Sequence, residues 1–259
     1  MTSVPGEQRF LEQRAQPIQQ LLREWPPGYG GVERVAHELA MVWGGTVWSL
    51  DAQGRCLSEK DAIAAHYPRR RLARTSPLGR LVLPLPSAGL WSLLRSEEPL
   101  HGHLPSIGVL LVLLLARLVR PRRRVTAHWH FFFEPASGLK GRFFIAYQWL
   151  ALTVVSWLSG VITTSPLLKD ELVRCGCRSE RVAVLPCCLS HDQEAAAFLA
   201  KRSSAQIQAN SVMRVLFIGR LGSYKRLDWL LTSLASVESS WSLDVVGDGP
   251  RRDDFEALS

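Results

Sequence analysis

One segment near the end of the chain constrains the fold more than any other. The apolar run over residues 215–218 predicts a buried strand that ends at a glycine,. Arg220 and Lys225 follow in a polar turn, and leucines then recur at helical spacing from Leu227 onward. A strand, a cationic turn and a helix in this order are typical of a parallel α/β sheet.

The two cations of this turn predict a phosphate site. In open α/β sheets, ligands bind outside the carboxyl ends of the strands. There Arg220 could hold a phosphate with its planar guanidinium, Lys225 would add a point charge, and the helix start would add backbone N–H donors. The alternative interpretation is that both side chains are simply solvated.

A glycine-rich turn near the beginning of the chain predicts a second ligand-binding element. Gly28, Gly30 and Gly31 follow a weak strand pattern over residues 18–22 and precede a helix with one apolar face over residues 32–40,. Glycines here would allow positive φ angles and close approach of a ligand to the backbone. Taken alone, the same glycine-rich turn is equally typical of an ordinary loop that binds no ligand.

Ordered motifs connect these two elements, and together they resemble glycosyltransferase family 4. The motifs are Pro-x-x-Gly-Gly-Val-Glu at 27–33, Val-Ile-Thr-Thr-Ser-Pro at 161–166, Val-Ala-Val-Leu-Pro at 182–186, Gly-Arg-x4-Lys at 219–225 and Gly-Asp-Gly-Pro at 247–250. The resemblance implies a retaining nucleotide-sugar transferase of the GT-B type. It also implies two facing Rossmann-like α/β domains, the first near-complete here and the second represented by its first part.

The resemblance also predicts a domain plan. We expect a frayed N-terminus over residues 1–15, an acceptor-side Rossmann-like domain over 16–200, a polar linker over 201–210 and part of a donor-binding domain over 211–259. The family's Glu-x7-Glu motif does not occur before Ser259. We therefore expect a C-terminally truncated second domain and no sugar transfer by this chain alone, with a non-catalytic binding remnant as the alternative function.

Short apolar runs predict the strands of the first domain, and helical patterns separate most of them, which favours a parallel sheet. The predicted strands cover residues 18–22, 46–50, 81–85, 125–128, 161–164 and 182–185.

Two His-x-His pairs carry the remaining chemistry. His101 with His103, and His128 with His130, each place two imidazoles on one face of an extended segment,. Such pairs can bind zinc, which makes a metal-dependent hydrolase the rival hypothesis. That enzyme would also need a carboxylate, for which Glu134 and Asp51 are the candidates.

The resemblance implies a different use of the histidines. Its strand-end Val-Thr-x-His falls on His128, which would face the transferred sugar, with His130 beside it. His101 and His103 would support the acceptor side. Arg220 and Lys225 would complete the catalytic set. The amides of Gly30 and Gly31 would join them in binding the donor diphosphate, so that no metal cofactor is needed.

The charge of the chain predicts anionic partners. The formal net charge is +8, with arginines concentrated over residues 69–74 and 117–124,. No nucleic-acid motif accompanies them, which disfavours nucleic acid. The second cluster follows an apolar run at residues 107–116. We therefore expect a nucleotide sugar and a glycan or lipid-linked acceptor as partners, with peripheral contact to an anionic membrane.

The cysteine spacing and the hydrophobic pattern predict the cellular compartment of the protein. Five cysteines lack the spacing of a secreted disulfide framework or a zinc finger,. Neither a signal peptide nor a transmembrane span is evident in the hydrophobic pattern. We expect a cytoplasmic enzyme of polysaccharide or glycoconjugate biosynthesis, peripheral on the inner face of the membrane.

Overall fold

The computed structural model describes residues 16–25, 30–52, 66–77, 81–133, 138–187, 194–199 and 212–257. The described residues up to 187 form one compact unit, and those from 194 onward form another. The expected frayed N-terminus and the expected linker lie outside the described residues. The predicted domain boundaries therefore stay predictions.

The first unit alternates strands with helices. Its strands are β1 (Gln19–Leu22), β2 (Val47–Ser49), β3 (Arg69–Arg71), β4 (Leu100–Leu104), β5 (Val125–Trp129), β6 (Gly160–Thr163) and β7 (Val182–Val184). Its helices are α1 (Gly31–Trp43), α2 (Ala88–Arg95), α3 (Ile107–Val119), α4 (Gly138–Trp157) and α5 (Pro166–Arg174).

The seven strands form one parallel sheet in the order β3-β2-β1-β4-β5-β6-β7. The predicted parallel α/β class is confirmed. Successive strands are added outward in one direction as far as β3, and the chain then returns to place β4 on the other side of β1. The boundary between β1 and β4 is the topological switch point, where open α/β sheets leave a crevice at the carboxyl ends of their strands.

The strand predicted over residues 81–85 is wrong. Among the described residues this segment forms isolated bridges and no ladder, including an antiparallel bridge between Arg74 and Pro84, because proline cannot donate to a ladder,. The edge strand is instead formed by Arg69–Arg71. All three of its guanidinium groups lie over indole rings: Arg69 and Arg71 at 5.3 and 5.8 Å from Trp25, and Arg70 at 5.5 Å from Trp48. This arginine cluster is therefore part of the sheet edge, where charged side chains are tolerated.

Part of the second arginine cluster is also structural. Arg123 is buried, and its guanidinium donates hydrogen bonds of 2.7 Å to the carbonyl oxygens of Leu93 and Glu98. Burial lowers its pKa to about 10. Arg120 pairs with Glu97 at 2.8 Å. Only some of these arginines are therefore available to an outside partner.

The two faces of the sheet differ in chemistry. Side chains alternate between faces along each strand, and Leu100 and Leu104 of β4 contribute to the main apolar core, together with Ala127 and Trp129 of β5. That core includes residues of α2, α3 and α4. The opposite face carries a small apolar cluster beside α1 and, on β4 and β5, a group of histidines.

Helix α4 is apolar around most of its circumference, yet one side is exposed. Phe143, Ile145, Trp149, Leu150 and Trp157 are between 49% and 71% exposed. A helix of this kind is usually buried or in contact with another apolar phase. Among the described residues, no helix combines the length and the hydropathy that a membrane crossing requires.

The second unit contains a two-stranded parallel sheet of β8 (Met213–Ile218) and β9 (Trp241–Val246), with α6 (Leu227–Ala235) between them and α7 (Arg252–Glu256) after them. Leu221, Leu227 and Phe255 form its core. The strand, cationic turn and helix predicted from the sequence are confirmed, but the strand is not buried: residues 215–218 are exposed or half-buried, with Ile218 71% exposed.

Two glycines give a matched test of the packing of α3 against the segment before α2. Gly108 and Gly89 are each the second residue of their helix. A Cβ on Gly108 would collide with the carbonyl oxygen of Val82 and lie 2.7 Å from Leu50 Cδ1, whereas the nearest atom to a Cβ on Gly89 is 3.6 Å away.

We predict that Gly108→Ala lowers the free energy of unfolding by about 1–3 kcal/mol, because overpacking forces the backbone apart. Gly89→Ala should be neutral or should stabilise by up to about 1 kcal/mol through helix propensity. Urea unfolding of both variants measures the difference. Equal stabilities would contradict the packing described for α3.

Candidate functional site

The parallel register brings the two predicted histidine pairs together. His103 of β4 pairs with His128 of β5, and His101 pairs with Thr126. His130 follows directly after β5, where its N–H donates to the carbonyl oxygen of Leu104 at 3.2 Å. The ring centroids of neighbouring histidines lie between 4.2 and 5.7 Å apart. We call His101, His103, His128 and His130 the histidine cluster.

Hydrogen bonds hold three members of the cluster. His101 Nδ1 lies 2.8 Å from Thr126 Oγ1. His103 contacts Gln20 Oε1 through Nε2 at 2.9 Å, and His130 Nε2 through Nδ1 at 3.0 Å. By contrast, His101 Nε2 and both ring nitrogens of His128 are buried and have no hydrogen-bond partner within the described part of the chain.

Burial keeps the cluster in its neutral form. Desolvation lowers the pKa of His128 to about 4 and that of His130 to about 3, the latter with a contribution from His128. The pKa values of His101 and His103 also lie well below the ordinary value, for the same reason and because neighbouring imidazoles repel a second positive charge,. Neutral imidazoles can accept hydrogen bonds or bind a metal ion, which imidazolium cannot.

A cavity of about 250 Å³ opens beside His103 at the carboxyl ends of β1 and β4. Its walls are mostly apolar and aromatic, with a few polar groups. They consist of Arg23, Val32, Glu33, Leu81, His103, Pro105, Ser106, Ile107, Phe131, Phe133, Phe143, Phe144 and Tyr147. A concave, mainly apolar site with few polar groups is typical of small-molecule binding. The N-terminal ends of α1 and α3 both contribute residues to it.

The glycine-rich turn differs from the expectation. Gly30 is the N-cap of α1 with a φ of −107°, and Gly31 is the first helical residue without a positive φ. The expected left-handed backbone is therefore wrong for both, while Gly28 lies outside the described residues. No atom of the described residues lies within 4 Å of a Cβ built on Gly31, so these residues leave space beside the start of the helix. The carboxylate of Glu33 lies over Gly30.

In the second unit, Arg220 and Lys225 lie between β8 and α6, and both are exposed. A third cation of this turn, Arg226, adopts the left-handed region with a φ of 55° and is the N-cap of α6. Its guanidinium lies 3.3 Å from the ring centroid of Trp229. Arg226 is therefore held against its own helix, whereas Arg220 and Lys225 stay at the carboxyl end of β8.

Sequence reasoning missed several residues of this region. Gln20 and Thr126 hold the histidines, and their only sequence signal is that they are polar residues within strands. The aromatic cavity wall is signalled by the dense run Phe131-Phe132-Phe133 and by Phe143-Phe144. The spacing of these residues along the chain does not indicate that they line one cavity.

The rival hydrolase loses one candidate carboxylate. Asp51 is buried and forms a 2.8 Å ion pair with Arg71. It is not among the residues grouped as possible ligands with the histidines. The other candidate, Glu134, lies outside the described residues.

The Thr126 hydroxyl gives a direct test of the cluster. We predict that Thr126→Val lowers the free energy of unfolding by about 1–3 kcal/mol, because it leaves another buried imidazole nitrogen without a partner. Thr153→Val is the matched control, since the Thr153 hydroxyl donates to the carbonyl oxygen of Trp149 on an exposed helical turn. Chemical denaturation of the two variants measures the effect, and an equal loss in both would refute a special role for the Thr126 contact.

Solved structures share this fold over almost the whole chain. HepE of Anabaena, in complex with UDP and glucose, is 16% identical with a TM-score of 0.63, and the alignment covers 94% of this chain and 64% of that one. The lipopolysaccharide outer core galactosyltransferase WaaB is 13% identical with a TM-score of 0.57, and the alignment covers 93% of this chain and 64% of WaaB. A UDP-forming trehalose-phosphate synthase from Burkholderia vietnamiensis is 11% identical with a TM-score of 0.53, and the alignment covers 94% of this chain and 66% of the synthase.

The chain thus spans 64% of the length of HepE and WaaB. No curated protein sequence matches it significantly. The sequence profile of glycosyltransferase family 4 matches residues 29–193, which include the histidine cluster and much of the cavity wall. The predicted resemblance is confirmed, and the chain belongs to glycosyltransferase family 4.

Proposed function

We propose that this protein transfers a sugar from a nucleoside-diphosphate donor to a hydroxyl group of a glycan or lipid-linked acceptor, with retention of configuration. The observation that carries this proposal is the cavity at the β1–β4 switch point, which lies largely within the family match and opens beside His103. Its place in polysaccharide or glycoconjugate biosynthesis is part of the same proposal.

A panel of nucleotide sugars tests the reaction. The sequence alone predicts no transfer by this chain; the present proposal predicts instead that one of these nucleotide sugars releases its nucleoside diphosphate faster when an acceptor is present, because transfer rather than hydrolysis is proposed. Product analysis by NMR would then give the anomeric configuration. Release of free sugar by a zinc-dependent route would instead favour the hydrolase, and absence of any turnover would favour a non-catalytic binding role.

The donor diphosphate is assigned to the cationic turn of the second unit. Arg220 and Lys225 provide two positive charges at the end of a strand, and α6 begins directly after them. HepE structures contain UDP and UDP-glucose, which supports a uridine nucleotide as the first donor to try. Within the first unit taken by itself, the backbone N–H groups at Gly30 and Gly31 are proposed to donate hydrogen bonds to a phosphate oxygen.

The proposed reaction needs stabilisation of a leaving group. The bond from the sugar C1 to the diphosphate oxygen breaks, and a bond from C1 to the acceptor oxygen forms on the same face. The acceptor proton passes to the departing diphosphate. Fixed cations that face the developing negative charge lower the barrier most effectively. In this scheme no divalent ion joins the diphosphate, and turnover should not require added Mg²⁺.

Because His128 is buried, we move the proposed sugar contact from His128 to His130. His128 is fully enclosed, whereas His130 is partly exposed and stacks on it at 4.2 Å between ring centroids. We therefore assign the contact with the sugar to His130, and to His128 the positioning of that ring. His101 and His103 would support the acceptor side, since His103 lines the cavity.

The proposed diphosphate site formed by Arg220 and Lys225, which we call the clamp, can be tested by measuring nucleotide binding alone. We predict that Arg220→Ala and Lys225→Ala each weaken UDP binding roughly 10- to 100-fold, because a hydrogen bond to a charged group contributes about 1.5–3 kcal/mol. Isothermal titration calorimetry measures the dissociation constants.

Arg214→Ala is the matched control for the clamp. Arg214 is an exposed arginine of the same strand, but it lies near the opposite end and 3.5 Å from Asp244. Its replacement should leave UDP affinity unchanged. A similar loss in all three variants would indicate general charge attraction and would contradict a specific clamp.

The aromatic wall of the cavity favours an acceptor that carries an apolar group. We predict that Phe143→Ala raises the KM for such an acceptor roughly 10-fold with little change in kcat, because it removes apolar contact area worth about 1–2 kcal/mol. Phe198→Ala, which changes another exposed phenylalanine, should leave KM unchanged. Steady-state kinetics with a lipid-linked and a soluble acceptor separate the outcomes, and an unchanged KM would exclude this wall from acceptor binding.

Helix α4 is the proposed contact with the cytoplasmic membrane surface. Trp149 and Trp157 are exposed, and tryptophans are enriched where protein meets the lipid interface,. We predict that replacing both with serine reduces sedimentation with anionic phospholipid vesicles several-fold, because their apolar area no longer leaves water. Trp91→Ser on α2 should have no effect, and equal binding by both variants would contradict this assignment.

A further inference from the structure

Three histidines of the cluster converge more closely than hydrogen bonding requires. One ring nitrogen from each of His101, His103 and His128 lies within 4.8 Å of the other two. All three side chains are at most 2% exposed. They come from two adjacent strands, so the backbone ladder between β4 and β5 fixes their relative positions.

Two of the three histidines have buried ring nitrogens that none of the hydrogen bonds among the described residues uses. His101 binds Thr126 through Nδ1, which leaves its Nε2 buried and unpartnered. His128 has two such nitrogens. A buried polar atom without a partner costs about 1–3 kcal/mol, and most such atoms in folded proteins are satisfied by protein, water or an ion.

We propose that this face of the sheet binds one Zn²⁺-like transition-metal ion through His101, His103 and His128. An all-imidazole ligand set suits zinc, copper or nickel, whereas Mg²⁺ and Ca²⁺ require oxygen ligands. Metal-binding histidines usually donate their second N–H to a fixed acceptor. Thr126 and Gln20 provide such partners for His101 and His103.

The geometry requires only small movements. A point at most about 2.8 Å from all three nitrogens follows from the 4.8 Å limit. Zinc–nitrogen bonds are about 2.0–2.1 Å long, so each nitrogen has to move by less than about 0.8 Å. The rings of His103 and His128 are within 17° of parallel, so one of them must also turn. His128 can do so without breaking a hydrogen bond.

No step of the proposed sugar transfer uses this metal ion, although its three histidines also belong to the proposed transfer site. The ion would link β4 to β5 on the buried face and give partners to nitrogens that have none among the described residues. Coordination through Nδ1 of His103 would replace its hydrogen bond to His130 and keep the one to Gln20. This inference does not depend on the proposed function, because its readout is metal binding and not turnover.

Metal titration of the whole chain tests the site. After treatment with a chelator and its removal, we expect Zn²⁺ to bind at about one ion per chain and to raise the thermal unfolding midpoint. Co²⁺ in its place should give visible absorption bands of a nitrogen-ligated ion. Gln20→Leu should weaken Zn²⁺ binding roughly 10- to 100-fold, as expected for a residue that orients a ligand.

Three variants locate the ion. His128→Leu should abolish both the stoichiometric binding and the thermal shift, whereas His37→Gln, a buried histidine of α1, and Cys175→Ser should retain them. If His128→Leu does not fold, the Co²⁺ spectrum of the unmodified chain still decides the matter. Absence of bound Zn²⁺, retention of binding by His128→Leu, or a thiolate-type Co²⁺ spectrum would each overturn the proposal.

Discussion

The parallel pairing of β1 with β4 is the constraint on which the rest of the molecule depends. It joins Gln20 to His101 across the sheet and places β4 on the opposite side of β1 from β2. The helices that follow these two strands diverge, so their N-terminal ends leave a crevice at the carboxyl edge. The cavity beside His103 occupies that position.

Because side chains alternate along each strand, the apolar core and the histidines lie on opposite faces of the sheet. The leucines of β4 pack in the main core, while His101 and His103 lie on the opposite face of the sheet,. Both histidines are buried, at positions where an apolar side chain would be the usual residue. Several buried nitrogens without partners make this face less stable than an apolar one. Such a departure from ordinary core chemistry is expected where a protein binds a ligand.

The sequence predicted the class of fold because strand-like and helical patterns alternate, and it predicted the histidine pairs because the period of two puts them on one face. It could not predict that Arg69–Arg71 forms the edge strand, since arginine has no strand preference and the cation–π contacts with Trp25 and Trp48 arise only in the folded sheet. The register of β4 against β5, which joins the two histidine pairs, is likewise a tertiary property.

The most direct test of the account is NMR of the histidine side chains during titration with UDP-glucose and an acceptor. If the carboxyl edge between β1 and β4 is where the sugar is transferred, the ring resonances of His103 and His130 should shift. Those of His37 on α1 and of the exposed His66 should stay unchanged. Binding of the donor and acceptor without any shift at His103 or His130 would contradict the central claim.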